Sequence, residues 1–173
     1  MSAYVRGAMS TIDRARFRQV MGHVPTGVVV ITSQDPGGRP VGLACNSFTS
    51  VSLDPPLVLF CAAGGSSTLP ALRAAGAFRV NVLEAGQESL CRRFATRGVD
   101  RFAGVDWTPA HGGPRLAGAV AGMDCAVLEE HAAGDHVIVV GRVLRLAETT
   151  GGAPLVFHRG RYGSFAVGAD LLG

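Results

Sequence analysis

Apolar and polar residues follow two different periods along this chain. Phe17, Val20, Met21 and Val24 fall at i, i+3, i+4 and i+7, a single stripe of a helix. Thr11 and Asp13 offer N-cap side chains for it, and Gly22 and Pro25 end it. From there the pattern becomes that of short strands. GVVVITS (27–33) is β-branched, QDPGGRP (34–40) is dense in turn formers, and VGLACNSF (41–48) is expected to pair back as a hairpin. LVLFC (57–61) reads as a buried strand whose start is set by Pro55-Pro56, since proline gives a sheet ladder no N–H. AAGGSSTLPALRAAG (62–76) is a Gly/Ser turn opening into a short helix with Leu69 and Leu72 on its apolar side. FRVNVL (78–83) alternates with period two, and GQESLCRRFATRG (86–98) is another short helix with Leu90 and Phe94 one turn apart. Residues 105–118 are irregular. Two long strands follow, 119–134 and 135–149, joined around Gly134-Asp135, and 153–165 supplies a last strand and an aromatic tail.

Strands dominate, with three short helices between hairpins. That order predicts a mostly β fold with short α-helices, a closed and mostly antiparallel barrel rather than a doubly wound sheet. The 173 residues suit one domain, read as 12–165, with an N-terminal arm at 1–11 and a C-terminal tail at 166–173. There is no internal repeat and no interior linker.

Composition narrows the function classes. Apolar residues make up 47% and charged ones 17%, enough to build a core. The basic residues are all arginine, and a net charge of +3 is too weak to argue for nucleic acid. No apolar run approaches the roughly 20 residues of a membrane span, and the first residues lack the apolar core of a signal peptide. A cytoplasmic protein is expected. The four cysteines carry no C-x-x-C and read as reduced, mostly buried thiols; the histidines have no metal-ligand spacing, so no metal is expected.

The polar stretch GLACNSFTSVSLDPPLVLFC (42–61) is the first candidate for chemistry. Asn46 and Ser50 share one side of an extended strand, and small hydroxyls with an amide beside an apolar wall could grip the edge of a flat heteroaromatic ring. A solvated edge strand would have the same composition. Next, Ser66, Ser67 and Thr68 at a helix start form either an anion site or an ordinary cap. Arg93 and Arg97, four apart on a helix, with Arg101 beyond Gly98, could clamp a phosphate or form a solvated face. His136, in a tight Gly-Asp-His turn, could position a reacting ring or simply bond its own Asp135. No G-x-S-x-G elbow, P-loop or G-x-G-x-x-G following a strand is present.

Taken in order, VPTGVVVIT (24–32), GLACNSFTSVSLDPPLVLFC (42–61), FRVNVL (78–83), the arginine and phenylalanine pairs of 93–102, GDHVIVVGRV (134–143) and PLVFHRGRYGSF (154–165) resemble the short-chain flavin reductases. The resemblance covers about residues 12–165. It implies an FMN-binding split β-barrel, Greek-key-like and antiparallel, usually a homodimer. Such a protein reduces FMN or FAD with NADH or NADPH and supplies reduced flavin to a separate flavin-dependent monooxygenase. By position it implies that Thr26, Gly27, Ala44, Cys45, Asn46 and Ser47 lie along the isoalloxazine ring and that Ser50, Val51 and Ser52 follow the ribityl chain. Cys61, Ser67 and Thr68 would lie by the phosphate, with Arg101 and Phe102 closing that end. His136, Phe157 and Tyr162 would face the nicotinamide, His136 as the catalytic residue. Two positions depart from the family pattern: Ala44 where a threonine is frequent, and Arg101 where a lysine is common. An alternative is a split-barrel protein with tightly bound FMN acting as an oxidase or flavin carrier. A non-catalytic binder of a phosphorylated or planar ligand is a further one.

Overall fold

The computed structural model describes residues 12–148 and 152–165; Thr11, the arm at 1–11 and the tail at 166–173 lie outside the described residues. Helix α1 (Arg14–Met21) is followed by strands β1 (Thr26–Gly27), β2 (Val29–Gln34), β3 (Pro40–Cys45), β4 (Thr49–Leu53) and β5 (Pro56–Ala63). Helix α2 (Leu69–Ala75), β6 (Ala77–Val82), a 3₁₀ turn at Ala85–Gln87 and α3 (Glu88–Ala95) come next. The chain then forms β7 (Trp107–Thr108), β8 (Arg115–Leu116), β9 (Ala121–Ala133), β10 (His136–Glu148), β11 (Leu155–His158) and β12 (Arg161–Ser164).

Seven strands form one antiparallel sheet in the order β3-β2-β6-β9-β10-β5-β4. β3 and β4 lie at opposite edges, yet only Asn46, Ser47 and Phe48 separate them along the chain. The sheet must therefore curl until its edges face each other. The expected closure is incomplete: β3 and β5 form no ladder, and the curl leaves a seam. Side chains bridge it. Ser47 Oγ accepts the Cys61 N–H at 3.0 Å and donates to the Cys61 carbonyl at 3.2 Å, standing in for a missing strand.

The β2–β3 hairpin forms as expected, from Val29↔Cys45 to Gln34↔Pro40. β2 is buried on both faces, which explains its unbroken apolar run. Val29 and Ile31 point into a core with Phe60, Leu72, Phe78, Val80 and Val139; Val28 and Val30 pack outward against Leu83, Cys91, Phe94 and Leu155. A Cβ on Gly141 would lie 2.4 Å from Phe78 Cζ, and one on Gly42 would lie 2.8 Å from Phe94 Cε1, so both rings rest on bare backbone.

Between β7 and β8, His111-Gly112-Gly113-Pro114 lies against the backbone of β2 and β6. A Cβ on Gly112 would meet the Phe78 carbonyl at 2.2 Å, and one on Gly113 the Thr32 carbonyl at 2.6 Å. Beneath it lies a buried polar layer. Arg79 Nη1 donates to Asp124 at 2.7 Å, Thr32 Oγ1 donates to the Pro114 carbonyl, and Asn81 accepts the Leu116 N–H.

Four expectations change. The strand begun at 41 stops at Cys45, because the chain must leave one sheet edge for the other, so Asn46 and Ser50 do not share a strand face. LVLFC is buried on one face only: Val58 and Phe60 are inside, while Leu57, Leu59 and Cys61 alternate outward. α3 ends at Ala95 with Thr96 extended, so Arg97 is not on the helix with Arg93. Residues 153–165 hold two strands, since Arg159 and Gly160 both take positive φ and close a two-residue hairpin.

Candidate functional site

The seam opens into a cleft of about 470 Å³ between β3, β5, the end of α3 and the β9–β10 turn. Its sequence-predicted lining is Ala44, Cys45, Asn46, Ser47, Cys61, Ser67, Arg101 and His136. Asn46 and Ser47 are there because β3 has just broken off, which frees their side chains from a ladder. Asn46 Nδ2 donates to Thr26 Oγ1 at 3.3 Å, tying the bend to β1. Thr26 in turn pairs with Phe157. Ala44 contributes only a methyl group to the wall.

The cleft has a cationic end. Arg97 and Arg101 both line it, and none of the residues in its wall is an aspartate or glutamate. Arg101 donates through Nη1 to the Gly42 carbonyl at 2.6 Å and to Thr68 Oγ1 at 3.3 Å, and through Nε to the Thr96 carbonyl at 3.1 Å. Burial first, and the neighbouring Arg97 charge second, push its pKa down. Two close cations, Arg101 held by neutral acceptors and Arg97 beside it, favour an anion between them. Ser66 and Ser67 lie on the facing wall. Thr68 differs from expectation: its hydroxyl is buried and donates to the Gly42 carbonyl at 3.0 Å, and it makes no cap bond to α2. Arg93 turns away and hydrogen-bonds the Ala103 carbonyl.

At the other end His136 heads β10. Gly134, with φ of 64°, and Asp135 make the two-residue turn from β9, which places His136 directly opposite Ala133 and Ala63. Gly64 N–H donates to the Asp135 carbonyl at 2.9 Å, fixing the turn to the loop before α2. His136 Nδ1 lies 2.7 Å from Asp135 Oδ1. That hydrogen bond holds the Asp135 carboxyl below the usual carboxylate range. His136 thus bonds its own turn and also lines the cleft.

A smaller apolar hollow of about 150 Å³ adjoins the cleft and shares Ala44, Cys45, Asn46 and Ala95 with it. Phe157 and Tyr162 form its far wall, their rings 5.1 Å apart. Cys91 Sγ donates to Tyr162 Oη at 3.3 Å and the Arg92 guanidinium lies 4.9 Å from the ring centroid. Burial pushes the Tyr162 hydroxyl up to about 12. Beyond Tyr162 a broad depression of about 810 Å³ is lined by Pro25, His158, Arg159 and Arg161 among others.

Other expected residues fall elsewhere. Ser50, Val51 and Ser52 sit on the exposed edge strand β4, with Val51 bulged out of register, and do not line this cleft. The polar stretch is therefore two things: a cleft lining up to Ser47 and an edge strand after it. Gly27 is exposed on β1. Phe102 packs edge-on against Phe94 and Trp107 and lines the depression beside the cleft, together with Thr68. Phe94, Ala95 and the Ala62–Gly65 turn also line the site. Phe94 had only the signal of a core helix residue, and the small residues had none.

Residues 21–166 match the family model described as a flavin reductase like domain. The chain is 47% identical over 156 residues to the reductase subunit HsaB of a flavin-dependent monooxygenase from Rhodococcus jostii, spanning 90% of this chain and 80% of that one. It is 43% identical over 164 residues to an NADH-dependent FAD reductase of Streptomyces globisporus, with 91% and 89% covered. The solved structure of the NADH:FAD oxidoreductase SgcE6 from that organism, in complex with NAD and FAD fragments, superimposes with a TM-score of 0.85 at 43% identity, covering 91% of this chain and 96% of its own. A cleft that gathers its lining at the open seam of a curled sheet thus comes with the sequence and backbone of known reductases, and the chain belongs to the flavin reductase family.

Proposed function

We propose that this protein is an NAD(P)H:flavin oxidoreductase that reduces free flavin and passes it to a separate flavin-dependent monooxygenase. NADH and FAD are the pair favoured by its relatives' names. The observation that carries the reading is the cleft: an amide and hydroxyl bend at Asn46-Ser47, a carboxylate-free cationic end at Arg97 and Arg101, and His136 with the Phe157–Tyr162 hollow opening on the same space. These donors fit a ring with polar edges joined to a phosphate.

Hydride transfer is the chemistry that nicotinamide and flavin supply when bound. The chain's task is to hold them face to face. Arg97, Arg101, Ser66 and Ser67 would hold the flavin phosphate, and Asn46 and Ser47 the polar edge of the ring. Thr26 supports Asn46, Cys45 would stand beside that edge and Cys61 would lie between ring and phosphate, whereas Gly27 is exposed on β1 and lines neither hollow. Ser50, Val51 and Ser52 lie on the outer edge strand away from the cleft and take no part in this reading. His136, oriented by Asp135, would donate or accept at the nicotinamide carboxamide, with Phe157 and Tyr162 excluding water behind it. A Tyr162 hydroxyl pushed to about 12 stays neutral, so that wall carries no negative charge at working pH.

The reading extends to a cytoplasmic homodimer. No helix among the described residues is long and apolar enough to cross a membrane. The apolar stripe of α1 is unburied, and Leu53 on the β4 edge is 94% exposed, surfaces that a second copy would cover. Steady-state kinetics tests the activity: NADH oxidation should require added flavin and saturate with it. A rate independent of added flavin, from a protein carrying its own, would support a bound-flavin oxidase or carrier instead.

A further inference from the structure

Tyr162 lines both the apolar hollow that adjoins the cleft and the broad outer depression, so its ring is the partition between them. Its own strand holds it weakly. β12 has four residues, lies at the edge of a three-stranded sheet and pairs, among the described residues, with β11 alone. The firmer support comes from α3. Glu88, Cys91, Arg92 and Ala95 fall at i, i+3, i+4 and i+7, one stripe of that helix. Cys91 and Ala95 line the hollow, and Cys91 Sγ donates to the Tyr162 hydroxyl at 3.3 Å. The Arg92 guanidinium lies 4.9 Å from the ring centroid and donates through Nε to Glu88 Oε1 at 2.8 Å. A carboxylate one turn back thus keeps the cation over the ring, where the ring's electron density attracts it. Phe157 takes another side of the ring, at 5.1 Å. Arg92 lines neither the cleft, the hollow nor the depression, so its effect on them passes through Tyr162.

We infer that Arg92, locked by Glu88, is a positioning residue for the reductant: it holds the Tyr162 ring as the wall between hollow and depression and so keeps the nicotinamide end of the site closed. The inference rests on the reading above, in which Phe157 and Tyr162 back the nicotinamide. Without the stack, the short edge strand lets the ring leave the wall, the two spaces join, and Cys91 behind the ring is uncovered.

Thiol labelling of the full chain, mapped by peptide mass spectrometry, is combined with steady-state kinetics for the native protein, Arg92→Ala, Arg92→Lys and Glu88→Gln. Cys91 is 2% exposed and should label slowly in the native protein. Arg92→Ala should speed Cys91 labelling about fivefold and raise the KM for NADH by a similar factor, leaving the KM for flavin within about twofold. Arg92→Lys, which keeps a cation over the ring, should restore both, and Glu88→Gln should fall between. Unchanged Cys91 labelling in Arg92→Ala overturns the inference. So does faster labelling with an unchanged KM for NADH, an equal rise in the KM for flavin, or a lysine variant that behaves like alanine. A native chain without flavin-dependent NADH oxidation fails the reductase reading itself, whereas unchanged labelling fails this inference alone.

Discussion

Ser47 and His136 act through the backbone around them as much as through their own side chains. The Ser47 hydroxyl bridges both polar groups of Cys61 across the seam. His136 is aimed by a carboxylate one residue away. Replacing His136 with alanine should raise the KM for NADH by about tenfold, about 1.4 kcal/mol of binding, and change flavin affinity little; equal losses in both would remove its assigned role. Asp135→Asn should have the same direction with a smaller effect. Because its carboxyl pKa is lowered in the fold, the contribution of the Asp135 charge is complete above the usual carboxylate range and fades only as pH falls through the lower folded value. The factor by which Asp135→Asn raises the KM for NADH should therefore shrink only in acid, as the native carboxyl itself becomes protonated. The cysteines separate in the same way. Burial raises the thiols of Cys45, Cys91 and Cys125, the last to about 12, whereas Cys61 is partly exposed in the cleft. A thiol reagent added to the native protein should modify one cysteine quickly, and bound flavin should slow it; several fast thiols would contradict the packing. Asn46 and Ser47 are visible in the sequence as part of a polar stretch beside an apolar run, Arg101 as one of a cluster of arginines and His136 as a histidine in a tight Gly-Asp-His turn. The buried bond from Thr68 to Gly42 is not, since an N-cap threonine and a core threonine look alike until the partner strand is known.

At the level of elements, one break organises the site. β3 and β4 read as one polar stretch, but they belong to opposite edges of a sheet, and the residues between them become the cleft wall. The sequence carries the β2–β3 and β9–β10 hairpins and the helices clearly, because their periods are local, but it does not show that β2 rather than β5 is the strand buried on both faces. It does not carry the seam, which depends on strand order, nor the second strand of the C-terminal hairpin, whose turn rests on Arg159 in a conformation seldom taken by arginine. The loop at His111–Pro114 looked merely irregular, and its role also appears only in three dimensions. It covers the Arg79–Asp124 pair, in which Arg79 Nε lacks an acceptor among the described residues. Removing the carboxylate with Asp124→Ala would leave a buried charge unpaired and should cost about 3–5 kcal/mol. Urea unfolding measures this directly; a loss below about 1 kcal/mol would mean that the pair is effectively solvated.

For the whole molecule, the fold class and the family were legible from end to end, because the motifs occur in order along nearly the entire described chain. Assembly was not, because an apolar stripe on α1 looks the same whether it faces its own core or another copy. Phe17, Val20, Met21 and Val24 are each at least half exposed. Sedimentation should therefore give twice the 17.9 kDa chain mass. A stable monomer would leave that face unexplained. The central claim is that flavin is turned over and released rather than retained. It is tested most directly without oxygen, by mixing a trace of protein with a large excess of NADH and free FAD and following flavin absorbance. The account predicts that the whole flavin pool is bleached, many equivalents per chain. Bleaching that stops at one equivalent per chain, or none at all, would contradict it.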